Sequence, residues 1–282
     1  ETDDSDEIDN RIFGNIFHEA SQKIYERITA GGTHITADNI KWMLSHGAEI
    51  ERIVDETFME ELFKLPKGAG TRPEYNGLQL INREVIITYL RKLLRMDMQL
   101  APFDIVGLET DVIEDMEVCG GGSVRFRTTV GGRIDRLDCV NDGTGERIRV
   151  IDYKTGSRRL EYMPDIAAIF DSANISKHSD YYLQTFLYSS IVSKSVLTNP
   201  RNLPVSPALL FIQHATGSDY DPTLCFGKNP VRDINDCHQE FETLLHEKVN
   251  DIFNPAIPFV PTSDDDICRI CPYMQLCGNS GK

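Results

Sequence analysis

Three charged residues in the middle of the chain could together perform metal-assisted chemistry. Asp135 lies in the run GRIDR, and Asp152 and Lys154 lie in the run VIDYKTG. Asp152 and Lys154 are two apart on a predicted strand, so their side chains should point to the same face. Charged side chains at the end of a Val–Ile strand are costly to bury unless they have a partner or a function.

Hairpin geometry brings Asp135 to the same place. If the loop covers residues 141–146, Val140 faces Arg147, and continuing that register places Asp135 opposite Asp152. Their Cβ atoms would then be roughly 5 Å apart. Two facing carboxylates repel each other, and Mg²⁺, which takes carboxylate, water and phosphate oxygens, relieves that repulsion.

A lysine beside such an ion could orient or deprotonate a water and stabilise the charge that develops on a phosphate. Lys154 therefore completes the minimum equipment for metal-assisted phosphodiester hydrolysis. The alternative is a structural hairpin whose charges are solvated, or in which Asp152 pairs with Lys154 or Arg133, because D…DxK spacings are common.

Longer motifs around these residues resemble a known family. The run GGRIDRLD, a short hairpin and VIDYKTG are similar to the central motifs of the PD-(D/E)XK nuclease superfamily, specifically its RecB-like and AddB-like branch. CRISPR-associated RecB-like exonucleases share that branch. Three further motifs follow in the family's order: GNIFHEA with its histidine, LQTFLY as a QxxxY helix, and the cysteine-rich CRICPYMQLCG. The resemblance spans residues 11–278.

This resemblance implies the roles of the central residues. Asp135 and Asp152 would be metal ligands, and Lys154 would be the catalytic lysine. The main-chain carbonyl of Tyr153 would supply another oxygen ligand. His18 would complete the metal shell from an N-terminal helix; outside the family order, a lone helix histidine is more often a surface or core residue.

The resemblance also implies a substrate-orienting helix and a biological setting. Gln184 and Tyr188 are four apart, hence neighbours on one helix face, and would orient the lysine region or the substrate backbone. An ordinary amphipathic helix with a polar edge is the alternative. The cofactor would be Mg²⁺ or Mn²⁺, the substrate DNA ends or single strands, and the partner a helicase domain or subunit.

Three cysteines supply soft ligands within ten positions near the C-terminus: Cys268, Cys271 and Cys277. Four thiolates would suit a [4Fe–4S] cluster or a structural zinc. The iron–sulfur members of the family carry their fourth cysteine upstream of the histidine helix, whereas this sequence has none before Cys119. We therefore expect a [4Fe–4S] cluster only in a full-length protein and no intact cluster in this chain. Zinc closed by His238 or His246, and three reduced thiols in a packed tail, remain open.

Hydrophobic periodicity predicts the elements that must position these residues. Helices are expected at 11–29, 36–45, 50–64, 78–98, 179–196 and about 233–252. Strands are expected at 104–113, 115–119, 123–130, 133–140 and 147–153, forming an antiparallel meander, and at 207–213 as a buried strand.

These elements and the resemblance predict an α/β fold with a restriction-endonuclease-like core. A mixed central sheet would be flanked by helices, with a helical N-terminal elaboration. One nuclease domain would consist of a helical part carrying His18 (1–100), a core with the catalytic hairpin (101–217), and a last helix with the cysteine-rich tail (218–282).

The charge of the chain limits what it can bind. Its 282 residues include 44 acidic and 29 basic ones, a net charge of −15, which argues against a general nucleic-acid coat. Between Arg125 and Arg159, however, nine basic residues accompany five acidic ones, a local net of +4. This local excess predicts a basic track for phosphates, and solvated arginines on a strand face are the alternative.

Composition also restricts the setting of the protein. No uncharged apolar run is long enough for a membrane span, so an integral membrane protein is excluded. The acidic start without a leader or an initiator Met suggests an excised fragment of a larger protein. Scattered cysteines are typical of a reducing, cytoplasmic setting.

The predicted function is Mg²⁺- or Mn²⁺-dependent cleavage of DNA, exonucleolytic, in recombination or repair. The first alternative is a catalytically degenerate domain that binds DNA or tethers a helicase. The second is a hydrolase for another phosphodiester such as RNA, because the motif handles phosphate rather than base or sugar.

Overall fold

The structure is a computed structural model that describes residues 8–68, 74–121, 125–141, 143, 145–156, 161, 163–215, 220–260, 262, 268–269 and 271–277. Its helices are α1 (Asn10–Thr29), α2 (Ala37–Ser45), α3 (Gly47–Glu61), α4 (Gly77–Leu100), α5 (Ala167–Phe170), α6 (Ser179–Lys194) and α7 (His238–Phe253). Its strands are β1 (His34–Ile35), β2 (Phe103–Cys119), β3 (Arg125–Asn141), β4 (Glu146–Lys154), β5 (Val205–Phe211), β6 (Cys225–Phe226) and β7 (Asn229–Pro230). Short 3₁₀ turns cover Ser172–Lys177 and Ile234–Asp236, and a last helical turn covers Met274–Cys277.

The four helices predicted for the first hundred residues are confirmed, and side chains cap the starts of α1, α2 and α4. The Asp9 carboxylate accepts a hydrogen bond from the Ile12 amide at the start of α1, at 2.7 Å. Asn76 and Gln79 form a reciprocal capping box at the start of α4. Such caps satisfy amides that have no partner within the helix. The two-residue strand β1 was not predicted, since it is too short to show a periodicity.

A five-stranded sheet in the order β1-β2-β3-β4-β5 forms the centre of the fold. Pairs from β1 to β4 are antiparallel, and β4 pairs with β5 in parallel. The parallel pair requires a crossover, which α5 and α6 provide. The predicted mixed sheet, including the antiparallel meander and the buried strand near 207–213, is confirmed.

The lengths of the meander strands were predicted wrongly. β2 and β3 each run unbroken for 17 residues, where the sequence predicted two shorter strands in each place. Gly131 and Gly132 resembled a break between strands. Instead they allow a close approach, because a Cβ on Gly131, whose φ is +149°, would lie 2.0 Å from the carbonyl oxygen of Val112.

Helices cover both faces of the sheet, as predicted, and each face has its own apolar core. Ile151 and Tyr153 of β4 belong to the cluster packed against α1–α4. Ile148 and Val150 alternate with them and belong to the cluster under α5–α7. Burying one large apolar side chain in such a cluster stabilises the fold by about 1.5–3 kcal/mol. No helix among the described residues is both long enough and apolar enough to cross a lipid bilayer.

Candidate metal centre

Three neighbouring strands bring carboxylates together near the end of the catalytic hairpin. The predicted register of β3 and β4 is confirmed from Asn141–Glu146 to Arg136–Ile151. Asp135 and Asp152 are the next residues in this register, one position beyond the pair of Arg136 and Ile151.

The pairing of β3 with β2 places a further acid on the other side of Asp135. Leu108 pairs with Arg136 and Thr110 pairs with Ile134, so Glu109 lies between these pairs, level with Asp135. Asp135 on the middle strand therefore has one acidic neighbour on each side.

His18 of α1 reaches this group from the helical layer. Its Nδ1 atom lies 3.1 Å from Asp135 Oδ1 and 3.7 Å from Glu109 Oε1. One ligand atom from each of the three residues lies within 4.8 Å of the others, close enough to share a metal ion. Gly14 of the same helix faces the end of β4, where a Cβ would lie 3.9 Å from Thr155 Oγ1, an ordinary van der Waals distance.

Asp152 and Lys154 lie beside this cluster as an ion pair. Lys154 Nζ is 2.6 Å from Asp152 Oδ2, and both side chains point to the same face, as predicted. The second Asp135 oxygen, Oδ2, accepts a hydrogen bond from the Tyr153 amide at 2.6 Å. That bond ties Asp135 to the strand that carries Asp152 and Lys154.

The electrostatics of the site are those of crowded acids. Burial raises the pKa of Asp152 to about 6, with a further contribution from the Asp135 charge, and Lys154 and His18 only partly offset it. Burial by itself lowers the pKa of His18, but its hydrogen bonds to Asp135 and Glu109 outweigh this and raise it to about 10. Both shifts have the sign expected where negative charge exceeds positive charge.

The donor set fits a hard divalent cation. It offers carboxylate oxygens with one imidazole nitrogen, which suits Mg²⁺ or Mn²⁺ better than a soft metal. Among the described residues, Asp152 Oδ2 is also one of few buried side-chain atoms with no well-aligned hydrogen bond, although it pairs with Lys154. A cation would complete the coordination of these oxygens.

Gln184 and Tyr188 lie on α6, outside the group formed by His18, Glu109 and Asp135. Gln184 Nε2 is 3.4 Å from the Tyr188 hydroxyl, so the two do share one helix face. The Tyr188 ring packs over Gly132, where a Cβ would lie 2.1 Å from its hydroxyl oxygen. Tyr188 thereby contacts the strand three residues before Asp135.

The predicted basic track is wrong for three of its nine basic residues. Arg136, Arg147 and Arg149 are buried, with exposed fractions of 0%, 4% and 5%, and cannot reach a phosphate. Arg133 is exposed but pairs with Asp111 at 2.9 Å. Arg158 and Arg159 lie outside the described residues. The prediction failed because a count of charges along the chain ignores their partners.

The three C-terminal cysteines do not form a second metal cluster within the part of the chain that the structure describes. Cys268 and Cys271 are half-buried, and Cys277 is exposed. The one described group of ligand atoms close enough to share an ion is that of His18, Glu109 and Asp135. None of the seven cysteines, all of which lie among the described residues, forms a disulfide bond.

Glu109 is the site residue that the sequence did not reveal. Val106 forms a bulge between the pairs of Ile105 and Gly107, which shifts the register of β2 before Glu109. Glu109 itself has a φ of +44°, an uncommon and strained conformation for a residue with a side chain. The only signal for Glu109 in the sequence is that it is an acid on the strand next to Asp135. This signal is not specific, because β2 carries several acids.

Comparison with known proteins agrees with this geometry. A family model described as the PD-(D/E)XK nuclease superfamily matches residues 1–278. No curated protein matches the chain significantly. The match covers nearly the entire sequence and includes every residue of the site. The chain therefore belongs to the PD-(D/E)XK nuclease superfamily.

Proposed function

We propose that this chain is a Mg²⁺- or Mn²⁺-dependent deoxyribonuclease that works as an exonuclease in DNA recombination or repair. The main observation behind this proposal is the cluster of His18, Glu109 and Asp135 beside the Asp152–Lys154 ion pair. Membership of the nuclease superfamily supports phosphodiester hydrolysis. The preference for ends, the RecB-like branch and the helicase partner rest on the sequence resemblance.

We assign the metal to the carboxylates and the imidazole. Asp135, Asp152, Glu109 and His18 would hold it, with the Tyr153 carbonyl as a further oxygen ligand. A bound divalent ion neutralises phosphate charge and makes a coordinated water more acidic. His18 must release its proton to bind a metal, so binding should release protons to the solvent.

Lys154 would serve the reacting phosphate. Its ammonium group is fixed between the Asp152 carboxylate and the face of Tyr181, with Nζ 4.2 Å from the ring centroid. A cation fixed in advance can orient the attacking water and stabilise the negative charge that grows on the phosphate oxygens. Gln184 and Tyr188 would act as positioning residues, since Tyr188 supports the strand that carries Asp135.

The remaining assignments are also proposals. We place the protein in a reducing, cytoplasmic setting, to which cysteines without disulfide bonds are suited. We propose Cys268, Cys271 and Cys277 as ligands of a [4Fe–4S] cluster that is completed only in a longer protein. Since the buried arginines cannot supply a phosphate track, partner domains would add to the grip on DNA.

The test is a digest of closed plasmid and end-labelled DNA and RNA strands with Mg²⁺ or Mn²⁺. We expect metal-dependent cleavage of DNA that requires ends, and a loss of at least about a hundredfold in Lys154→Ala. Lys67→Ala, which removes an exposed lysine, is the matched control. Equal activity in both variants would refute the role of Lys154. DNA binding without any cleavage would favour a degenerate domain, and a preference for RNA would change the substrate.

A further inference from the structure

A pocket opens beside Lys154, with Tyr153 and Lys154 in its wall. Its volume is about 610 Å³, and Lys154, Thr155 and Gly156 form part of its wall. None of His18, Glu109, Asp135 and Asp152 lines it. The pocket therefore begins where the reacting phosphate would lie and extends beyond it.

The size of this pocket exceeds what a phosphate needs. It falls within the range of 300–1,000 Å³ that is typical of sites for small organic ligands. A nucleotide attached to a phosphate at Lys154 has its sugar and base within reach of this space. Size and position thus suit the nucleoside part of a strand being cut.

The walls of the pocket combine flat rings with polar edges. Three helices contribute aromatic side chains: Phe13 of α1, Tyr89 of α4 and Tyr181 of α6. His178 stacks on Tyr181 with a centroid distance of 4.5 Å and an interplanar angle of 10°. Because Lys154 Nζ also lies over the Tyr181 ring, at 4.2 Å from its centroid, Phe13 and Tyr89 are the rings left to stack with a base. Aromatic side chains stack with bases of any sequence.

Amide side chains occupy the rest of the wall. Asn10, Asn82 and Gln213 line the pocket and can donate to or accept from the edge of a base. The Gln213 side chain is held by its Nε2, which donates to the Thr155 carbonyl at 2.9 Å, and the Gln213 main-chain carbonyl accepts from Lys92 Nζ at 2.8 Å. The polar wall is thus fixed before a ligand arrives.

The charge of the pocket is unlike that of the protein around it. The chain has 44 acidic residues, but none of the described residues that line the pocket is acidic. The positively charged Lys154 is one of the lining residues. The wall therefore does not repel a polyanion. This contrast separates the pocket from the crowded carboxylates next to it.

We propose that this pocket receives one unpaired nucleobase of the DNA strand being cleaved. A base within a duplex is stacked and paired, and extracting it costs a few kcal/mol. An unpaired base at a strand end avoids that cost. The inference rests on the proposed nuclease function and adds to it a binding subsite for a nucleobase.

The test uses the full chain carrying Asp135→Asn, which blocks cleavage without changing the pocket wall. A single-stranded oligonucleotide with 2-aminopurine at its terminal position is added, and its fluorescence is compared with that of a duplex carrying 2-aminopurine in its interior. We expect added quenching, the signature of stacking, for the single strand alone. Equal behaviour of both probes would overturn the proposal.

Variants of the rings locate the base. Phe13→Leu and Tyr89→Leu, placed separately in that background, should each weaken binding of the single strand about 5- to 150-fold, the equivalent of about 1–3 kcal/mol. Tyr273→Leu changes an exposed tyrosine outside the pocket and should have no effect. Unchanged quenching in both ring variants would overturn the proposal.

A second measurement needs no ring variant. A strand with a terminal 5-iodouracil is photo-crosslinked to the Asp135→Asn protein, and the modified peptide is identified by mass spectrometry. Crosslinks to Tyr89, His178 or Tyr181 support the pocket, and crosslinks elsewhere overturn it. Cleavage by the unmodified protein is measured in parallel. Cleavage without pocket crosslinks would refute this inference alone, whereas pocket crosslinks without cleavage would support it and refute the nuclease proposal.

Discussion

Two buried groups of charges lie side by side on β3, and they differ in their balance. In the first, Arg136 donates to both oxygens of Asp97, at 2.6 and 3.0 Å, and to Asp138. Arg149 donates to both oxygens of Asp138, at 2.9 and 2.7 Å. Two guanidinium groups thus meet two carboxylates, and the group is neutral.

The second group begins one residue earlier and has an excess of negative charge. Glu109, Asp135 and Asp152 share Lys154 and the imidazole of His18. Without a proton on the histidine, three negative charges face one positive charge. The two groups therefore serve different purposes, since the neutral group joins the helices to the sheet and the acidic group retains an affinity for a cation.

The pKa of a buried aspartate is shifted in opposite directions in the two groups. Burial alone would raise the pKa of Asp138, but Arg149 and Arg136 hold it below its ordinary value. In the acidic group, burial and the charge of Asp135 raise the pKa of Asp152. The difference teaches that burial of an acid is not itself a sign of function; the absence of sufficient counter-charge is.

The largest contrast should come from Asp135→Asn. We expect cleavage to fall by at least about a thousandfold, more than about 4 kcal/mol, because a metal ligand is lost. The free energy of unfolding should not fall by more than about 1 kcal/mol, since the change relieves repulsion with Asp152. Rates of DNA cleavage and urea unfolding measure the two effects. A collapse of stability with unchanged activity would reverse the assignment of the two groups.

An aspartate-to-asparagine change three residues later, at Asp138, should instead reduce stability strongly. Asp138→Asn leaves two buried guanidinium groups short of a partner and should lower the free energy of unfolding by about 3 kcal/mol. Asp111→Asn, which removes one member of an exposed pair, should cost less than about 1 kcal/mol. If Asp138→Asn were as mild as its control, the neutral group would not stabilise the fold.

The raised pKa of Asp152 should make the folded protein less stable as the pH rises. The pKa of Asp152 is about 6 in the folded protein and 3.8 ordinarily, so the folded state binds the proton more tightly than the unfolded state. This proton stabilises the fold in full below about pH 4. That contribution, on the order of 3 kcal/mol, is lost as the pH rises through 6. We expect Asp152→Asn to abolish this loss in urea unfolding with a chelator between pH 4 and 7. Parallel curves for the two proteins would contradict a raised pKa.

The smallest effects concern Glu109. Glu109→Gln should weaken Mn²⁺ binding about tenfold, as expected for one ligand among several. Glu109→Gly should weaken it likewise but raise the free energy of unfolding by up to about 1 kcal/mol, because glycine tolerates a φ of +44°. Glu117→Gln, an exposed acid on the same strand, serves as the control. Unchanged binding in both Glu109 variants would remove this residue from the site.

The sequence predicted those features that follow from periodicity and local spacing. The alternation of strand residues places Asp152 and Lys154 on one face, and the short hairpin fixes its own register. Glu109 could not be predicted, because its position depends on a bulge and on a positive φ. The pairing of Arg136 with Asp97 joins β3 to α4, and a contact between residues so distant in sequence leaves no local pattern.

The central claim is that the excess of carboxylates around Asp135 binds a divalent cation. Its most direct test is calorimetric titration of Mn²⁺ into the unmodified protein, Asp135→Asn and the control Asp111→Asn. We predict saturable binding with release of protons in the unmodified protein and in the control, and its loss in Asp135→Asn. Equal binding in all three proteins would contradict the claim and leave the acidic group without a function.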